Sequence, residues 1–204
     1  MILYGESNPA PNPRRVRVFI AEKAIDLPET RVNMRKGEHK SPEHRVRNSL
    51  GQVPTLVLDD GTAISESVSI CRYLESLHPA PPLFGTTAVE QALVDMWIRR
   101  VEFQLMTPVG MFWRHAHPLT AALLTQFTDF GESNREAWAR TCKWLDKDLA
   151  SDGRDWLAGG YSMADICAQS TVDFAAFTGL ELPAETPHLH AWHERVSARP
   201  SAQA

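Results

Sequence analysis

The segment "PAPPLFGTT", residues 79–87, divides this chain into two halves that cannot share one architecture. Before it, short apolar runs alternate with helical patterns; after it, no run reads as a strand. Proline and glycine at this density neither continue a helix nor serve a sheet ladder, so the segment reads as a linker. The 204 residues suffice for two cores. The expected organisation is a small α/β domain over 1–78, a linker over 79–87 and an all-helical domain over 88–204.

Within the first half, residues 2–4 read as a strand and 12–24 as a helix with Val16, Phe19, Ile20 and Lys23 at threes and fours. A second strand is predicted at 30–34 and a short helix at 41–47, capped by Ser41 with Pro42 in its first position. Strands at 54–58 and 62–65 meet at Asp59-Asp60-Gly61, a strong hairpin signal, and 66–77 follows as a helix. A leading βαβ unit implies a parallel pair and the hairpin adds antiparallel strands, so a mixed four-stranded sheet is expected. Beyond the linker, helices are predicted at 89–115, 121–149 with a break at Gly131, 163–177 and 187–198.

Composition narrows the function classes. With 43% hydrophobic residues, 23% charged residues and a net charge of −4, nothing attracts nucleic acid or an anionic membrane. The apolar runs fall short of the ~20 residues of a spanning helix, and Arg14, Arg15 and Arg17 interrupt any signal-peptide layout. Cys71, Cys142 and Cys167 lie in helical patterns and read as reduced, buried thiols. A cytoplasmic, soluble protein is the expectation.

Four stretches carry chemistry. In "GQVPTL" a proline opens a strand, where it cannot serve a central ladder. Either it is a trans proline at an edge, or a cis Val53–Pro54 bond turns the Val53 backbone outward to pair with an extended peptide ligand. In "SES", Ser67 and the first-turn amides form a carboxylate site with Glu66 beside them for an ammonium group, or else Ser65 and Ser67 only cap the helix. The loop "KGEHK" supplies Lys36, His39 and Lys40, as cations for a second carboxylate or as a solvated charge run. Finally, "SNPAPNPRRVRVFIAEK" presents a helix start after a corner rich in Asn and Pro.

The ordered set "GQVPTLVLDDGTAISESVSICRYL" resembles the glutathione-binding half of the glutathione transferase family. In the second half, "YSMADICAQSTVDF" resembles that family's Ser-x-x-Asp segment. Read physically, Ser162 and Asp165 form a capping box that opens a buried helix. The resemblance covers nearly the whole chain. It implies a thioredoxin-like N-terminal domain, an all-helical C-terminal domain, a homodimer, and glutathione as co-substrate with no metal. Carried over by residue, Val53 pairs with the cysteinyl backbone of glutathione and Pro54 is cis. Glu66 and Ser67 hold the γ-glutamyl end, and Lys40 with Gln52 faces the glycyl carboxylate, His39 being a weaker candidate.

The thiol of glutathione then lies at the opening corner. A free thiol titrates near ~8.5, so little is thiolate at neutral pH, and each unit of lowering represents about 1.4 kcal/mol. In the family a Ser, Tyr or Cys at this corner usually supplies that preference; here the serine positions hold Ala10 and Pro11. The pattern resembles an atypical branch of the family, found in bacteria and fungi, that lacks the usual hydroxyl. Asn12 is the candidate donor to the thiolate, aided by the free helix amides, or it merely caps the helix; Ser7 is the alternative donor. For a hydrophobic electrophile, "PVGMFWRHAHP" offers Phe112, Trp113 and His115, which otherwise simply pack between helices. The implied activity is conjugation of the thiolate to that electrophile, as in detoxification. The alternatives are a glutathione-dependent isomerase, dehalogenase or ether-cleaving enzyme, or a non-catalytic glutathione binder.

Overall fold

The computed structural model describes residues 1–7 and 9–204; Asn8 of the opening corner lies outside the described residues. Two compact units result: Met1–Leu83 together with Ser201–Ala204, and Phe84–Pro200.

The first unit is built on four strands, β1 (Ile2–Gly5), β2 (Glu29–Arg31), β3 (Thr55–Val57) and β4 (Ala63–Ser65), in the order β2-β1-β3-β4. β1 runs parallel to β2 with Tyr4 opposite Thr30, and antiparallel to β3 with Leu3 opposite Leu56. The β3–β4 hairpin turns at Asp59-Asp60-Gly61, where Gly61 takes φ +87°, open to glycine without strain. The sheet is mixed, as the hairpin and the βαβ unit demand. Helices α1 (Pro11–Glu22), α2 (Pro42–Arg47) and α3 (Ser67–Leu77) complete the unit. α1 and α3 pack together, burying Val16, Val18, Phe19, Ile70, Cys71 and Leu74 with Leu3 and Leu56.

The expected strand at 30–34 ends at Arg31, because Asn33 accepts the Lys36 N–H and starts a 3-10 turn at Met34–Lys36. Lys23, placed by periodicity on the apolar face of α1, is buried for another reason. Its ammonium pairs with Glu75 at 2.7 Å and donates to the carbonyls of His78 and Pro81, both at 2.6 Å. The proline-rich segment is therefore tied down at its start, with a cis Ala80–Pro81 bond and with Leu83 and Phe84 buried.

The second unit is helical, as the absence of strand patterns implied. α4 (Ala88–Arg100) and α5 (Thr107–His115) are joined by π-helical turns at Val101–Met106, and α6 (Thr128–Asp152), α7 (Met163–Phe177) and α8 (Pro187–Ser197) follow. α7 is buried along nearly all its length and packs on α4, α5, α8 and the π turns. The long helix predicted from 121 instead starts at Thr128, and Gly131 lies inside it rather than breaking it. The glycine is required by a close approach: a Cβ there would sit 2.6 Å from the His115 carbonyl carbon.

Cys71, Cys142 and Cys167 are buried and form no disulfide among the described residues, and burial pushes the Cys142 thiol up to about 12. Among the described residues, no helix is long and apolar enough to cross a membrane.

Candidate active site

The corner after β1 leads into α1 through Ala10, the N-cap residue, whose backbone is extended and whose side chain can form no cap. Pro11, Asn12 and Pro13 then occupy the first three helical positions. Asn12 is therefore not the cap of α1. Its side chain is half-buried and has no hydrogen-bond partner among the described residues. The two prolines have no N–H, so the expected set of free helix amides reduces to that of Asn12 itself.

Ser7 is exposed and engaged elsewhere. Its hydroxyl donates to Glu6 Oε1 at 3.0 Å and its N–H to the same oxygen at 2.9 Å. A serine hydroxyl has one proton to give, and this one points at Glu6.

The turn before β3 is held from behind. His44 Nε2 lies 2.8 Å and Asn48 Nδ2 3.0 Å from the Gln52 carbonyl, so the His44 proton sits on Nε2. Asn48 Nδ2 also reaches Thr55 Oγ1 at 3.4 Å, bracketing the residues between. The Val53–Pro54 bond is cis. Neither the N–H nor the carbonyl of Val53 has a partner among the described residues, so an edge of backbone is left to pair.

Lys40 donates to the carbonyls of Leu50 at 3.1 Å and Gly51 at 2.7 Å, and Gly51 takes φ +57° with a would-be Cβ 2.8 Å from the His39 carbonyl. Two of the three lysine protons thus secure the turn, leaving one. The His39 pKa is lowered by burial first, then by Lys40 and His44, so its ring is neutral at pH 7.

At the start of α3, Glu66 stands at the cap position with φ +69°, a left-handed backbone costly for a side chain with a Cβ, and its side chain makes no cap. Ser67 is buried, and the N–H groups of Ser67, Val68 and Ser69 have no partner among the described residues. Three amides aimed along a helix axis, beside a buried hydroxyl, attract an anion.

These elements converge on one small hollow, open to solvent, lined by Asn12, Asn48, Gln52, Val53, Pro54, Glu66 and Ser67. Six of those were singled out from the sequence; Lys40 and Ser7 are not in the lining. Asn48 was missed. As the C-cap of α2 it looks like a helix terminator, and only its contacts with Gln52 and Thr55 reveal the second task.

In the second unit the three aromatic candidates part company. Phe112 is buried with the Arg135 guanidinium 4.5 Å over its ring. Trp113 lies 4.6 Å from His117, 5.4 Å from Phe174 and 6.0 Å from Phe177, centroid to centroid. His115 faces Phe127 and Phe130 at 5.7 and 5.4 Å. Two helical positions apart, Trp113 and His115 point about 160° away from each other, and so join different clusters. The partners of Trp113 come from α7 and from His117, which linear spacing does not associate.

Comparison with known proteins agrees with both units. Residues 10–77 match the family model "Glutathione S-transferase, N-terminal domain", and 116–200 match "Glutathione S-transferase, C-terminal domain". The chain is 36% identical over 208 residues to Glutathione S-transferase 2 of Saccharomyces cerevisiae, covering all of this chain and 88% of that protein. The crystal structure of Gtt2 from Saccharomyces cerevisiae superposes with a TM-score of 0.91 at 36% identity, covering 100% of this chain and 99% of that one. Maleylacetoacetate isomerase of Dictyostelium discoideum is 30% identical over 167 residues, covering 78% of this chain and 72% of that protein. A thioredoxin-like domain of mixed sheet followed by a helical domain, with two matched family models spanning most of the sequence, leaves one assignment: the chain belongs to the glutathione S-transferase family of enzymes.

Proposed function

We propose that the hollow binds glutathione and that the bound thiolate adds to a hydrophobic electrophile. The observation that carries this reading is the convergence of Asn12, Gln52, Val53, Pro54, Glu66 and Ser67 on one hollow. The γ-glutamyl carboxylate takes the open amides of α3 and the Ser67 hydroxyl, and the ammonium beside it takes Glu66. The cysteinyl backbone pairs with the free N–H and carbonyl of Val53, as a short added strand. Gln52 and the remaining proton of Lys40 receive the glycyl carboxylate.

The thiol then falls to the start of α1, where Asn12 offers its side-chain N–H₂ and its own backbone N–H. An amide cannot accept the proton, which leaves to water; Asn12 acts by favouring the thiolate that remains. The sulfur lone pair forms the carbon–sulfur bond as the electrophile's π bond breaks, and the displaced electron pair takes a proton from water. We assign the electrophile to the half-buried ring of Trp113, with His117, Phe174 and Phe177 beside it, since Phe112 is buried and His115 joins Phe127 and Phe130 instead. The family resemblance supports a cytoplasmic homodimer serving detoxification.

The likeness to maleylacetoacetate isomerase favours a second use of the same thiolate, in which glutathione adds and leaves again. The two are separated by the product: conjugation consumes glutathione, isomerisation returns it.

The test is a titration of the glutathione-loaded protein from pH 5 to 9, following thiolate absorbance, in wild type and Asn12→Ala. The expected result is a bound thiol titrating well below the free value, rising by about one unit in the variant. Binding with an unshifted thiol would leave a glutathione binder and sink the transferase mechanism.

A further inference from the structure

The corner that delivers Asn12 is held by a residue outside the hollow. Glu6 follows β1, and its side chain is only 10% exposed. Its carboxylate accepts from three segments at once. Oε1 takes the Ser7 N–H at 2.9 Å, the Ser7 hydroxyl at 3.0 Å and Arg31 Nε at 2.7 Å; Oε2 takes the Met34 N–H at 2.8 Å. The Glu6 carbonyl accepts Arg17 Nη1 of α1 at 2.9 Å. From Ser7 the connection continues forward: its carbonyl accepts the N–H of Ala10 at 3.3 Å, and Ala10 is the N-cap of α1, two residues before Asn12.

We infer that Glu6 is a positioning residue for thiol activation, locking Ser7 and the N-cap Ala10 to the end of β2 so that Asn12 presents its amide at a fixed place in the hollow. The inference rests on the glutathione reading given above. α1 has no side-chain cap and one backbone donor in its first turn, so little else in that turn orients the donor. A displacement of ~1 Å at a reacting group can reduce rates by ~100-fold, which makes the anchoring of this corner consequential. Glu6 also decides between the two candidate donors, because it takes the only hydroxyl proton of Ser7 and leaves Asn12 as the donor facing the hollow. Burial raises the Glu6 pKa, but the Met34, Arg31 and Ser7 donors outweigh it and hold the carboxyl at about 2. The anchor is therefore charged at every pH at which the enzyme would be assayed.

The test uses Glu6→Gln and Glu6→Ala in the full chain. Glutamine keeps the volume but replaces one accepting oxygen with an amide that donates, so either Met34 or the Ser7 and Arg31 side loses its acceptor. In Glu6→Gln the bound-thiol pKa should rise by about one unit, with kcat below that pKa falling about tenfold. The KM for glutathione should stay within about twofold, because the groups proposed to hold the peptide are not on this corner. Glu6→Ala should shift the thiol at least as far. An unshifted thiol in both variants overturns the inference, even if melting temperature, kcat and KM worsen together, since that pattern marks a residue needed only for folding. If Glu6→Ala does not fold, an unshifted thiol in Glu6→Gln alone overturns it. A wild-type protein that binds no glutathione, or binds it with an unshifted thiol, overturns the glutathione reading itself before either variant is made.

Discussion

Two helices in this protein open on a serine and a carboxylate, and they use them in opposite ways. At α7 the pair closes on itself: Asp165 accepts the N–H of Ser162 at 3.0 Å, its hydroxyl at 3.2 Å, the Leu157 N–H at 3.0 Å and Trp192 Nε1 at 2.9 Å. At α3, Glu66 takes the cap position in a left-handed backbone, Ser67 sits one residue inside, and no side chain closes the turn. The first arrangement satisfies orphan donors from within and needs nothing more. The second leaves amides beside a buried hydroxyl without a partner among the described residues, facing a hollow that an anion can enter. α1 is a third case, with two prolines that remove donors rather than cap them. A carboxylate is already charged and can take every donor offered, whereas a thiol needs one placed donor to shift its proton equilibrium. The closed start builds the fold; the open ones face the hollow.

The largest effect should come from the closed start. Asp165→Ala leaves four buried donors without an acceptor and should lower the unfolding free energy by roughly 3 kcal/mol or more, read by chemical denaturation. If stability holds and glutathione affinity falls instead, α7 is not a purely structural helix start and the contrast fails. Next comes Ser67→Ala, which removes a charge-assisted hydrogen bond to bound carboxylate. Glutathione affinity should fall about tenfold by calorimetry, with an unchanged melting temperature and an unshifted thiol in the fraction that binds. A large loss of stability there would make Ser67 a cap after all.

This contrast also explains what the sequence could disclose. The element order, the mixed sheet and the helical second half followed from period-two and helical patterning, because burial imposes those periods on the residues themselves. Local competition was harder to see. Asn33 diverts the strand expected at 30–34 into a 3-10 turn, and Gly131, which looked like a break in α6, admits the chain at His115. At the site, Val53, Pro54, Glu66 and Ser67 stood out because their residue types are unusual at a strand or helix start. Asn48 and Glu6 did not: Asn48 looks like a helix terminator although it reaches Gln52 and Thr55 across the next turn, and the partners of Glu6, Arg31 and Met34, lie 25 and 28 residues along the chain. Nor does any periodicity tell that the final residues return to α1, where Arg14 Nη2 donates to the Ala202 carbonyl at 2.9 Å and Ser201 hydrogen-bonds Glu22.

The finest test of the comparison adds a donor instead of removing one. Pro13→Ala restores a backbone N–H in the third helical position of α1, making that start more like α3. One further amide at a helix N-terminus is worth about 0.3–1 kcal/mol to a nearby anion, so the bound-thiol pKa should drop by about 0.2–0.7 unit. The side chain is buried, so a small fall in melting temperature should accompany the substitution without altering the direction of the thiol shift. A thiol pKa that stays put would mean that the axis of α1 does not point at the sulfur. Thiol activation would then rest on the Asn12 side chain alone, and the two open helix starts would differ in kind rather than in their number of donors.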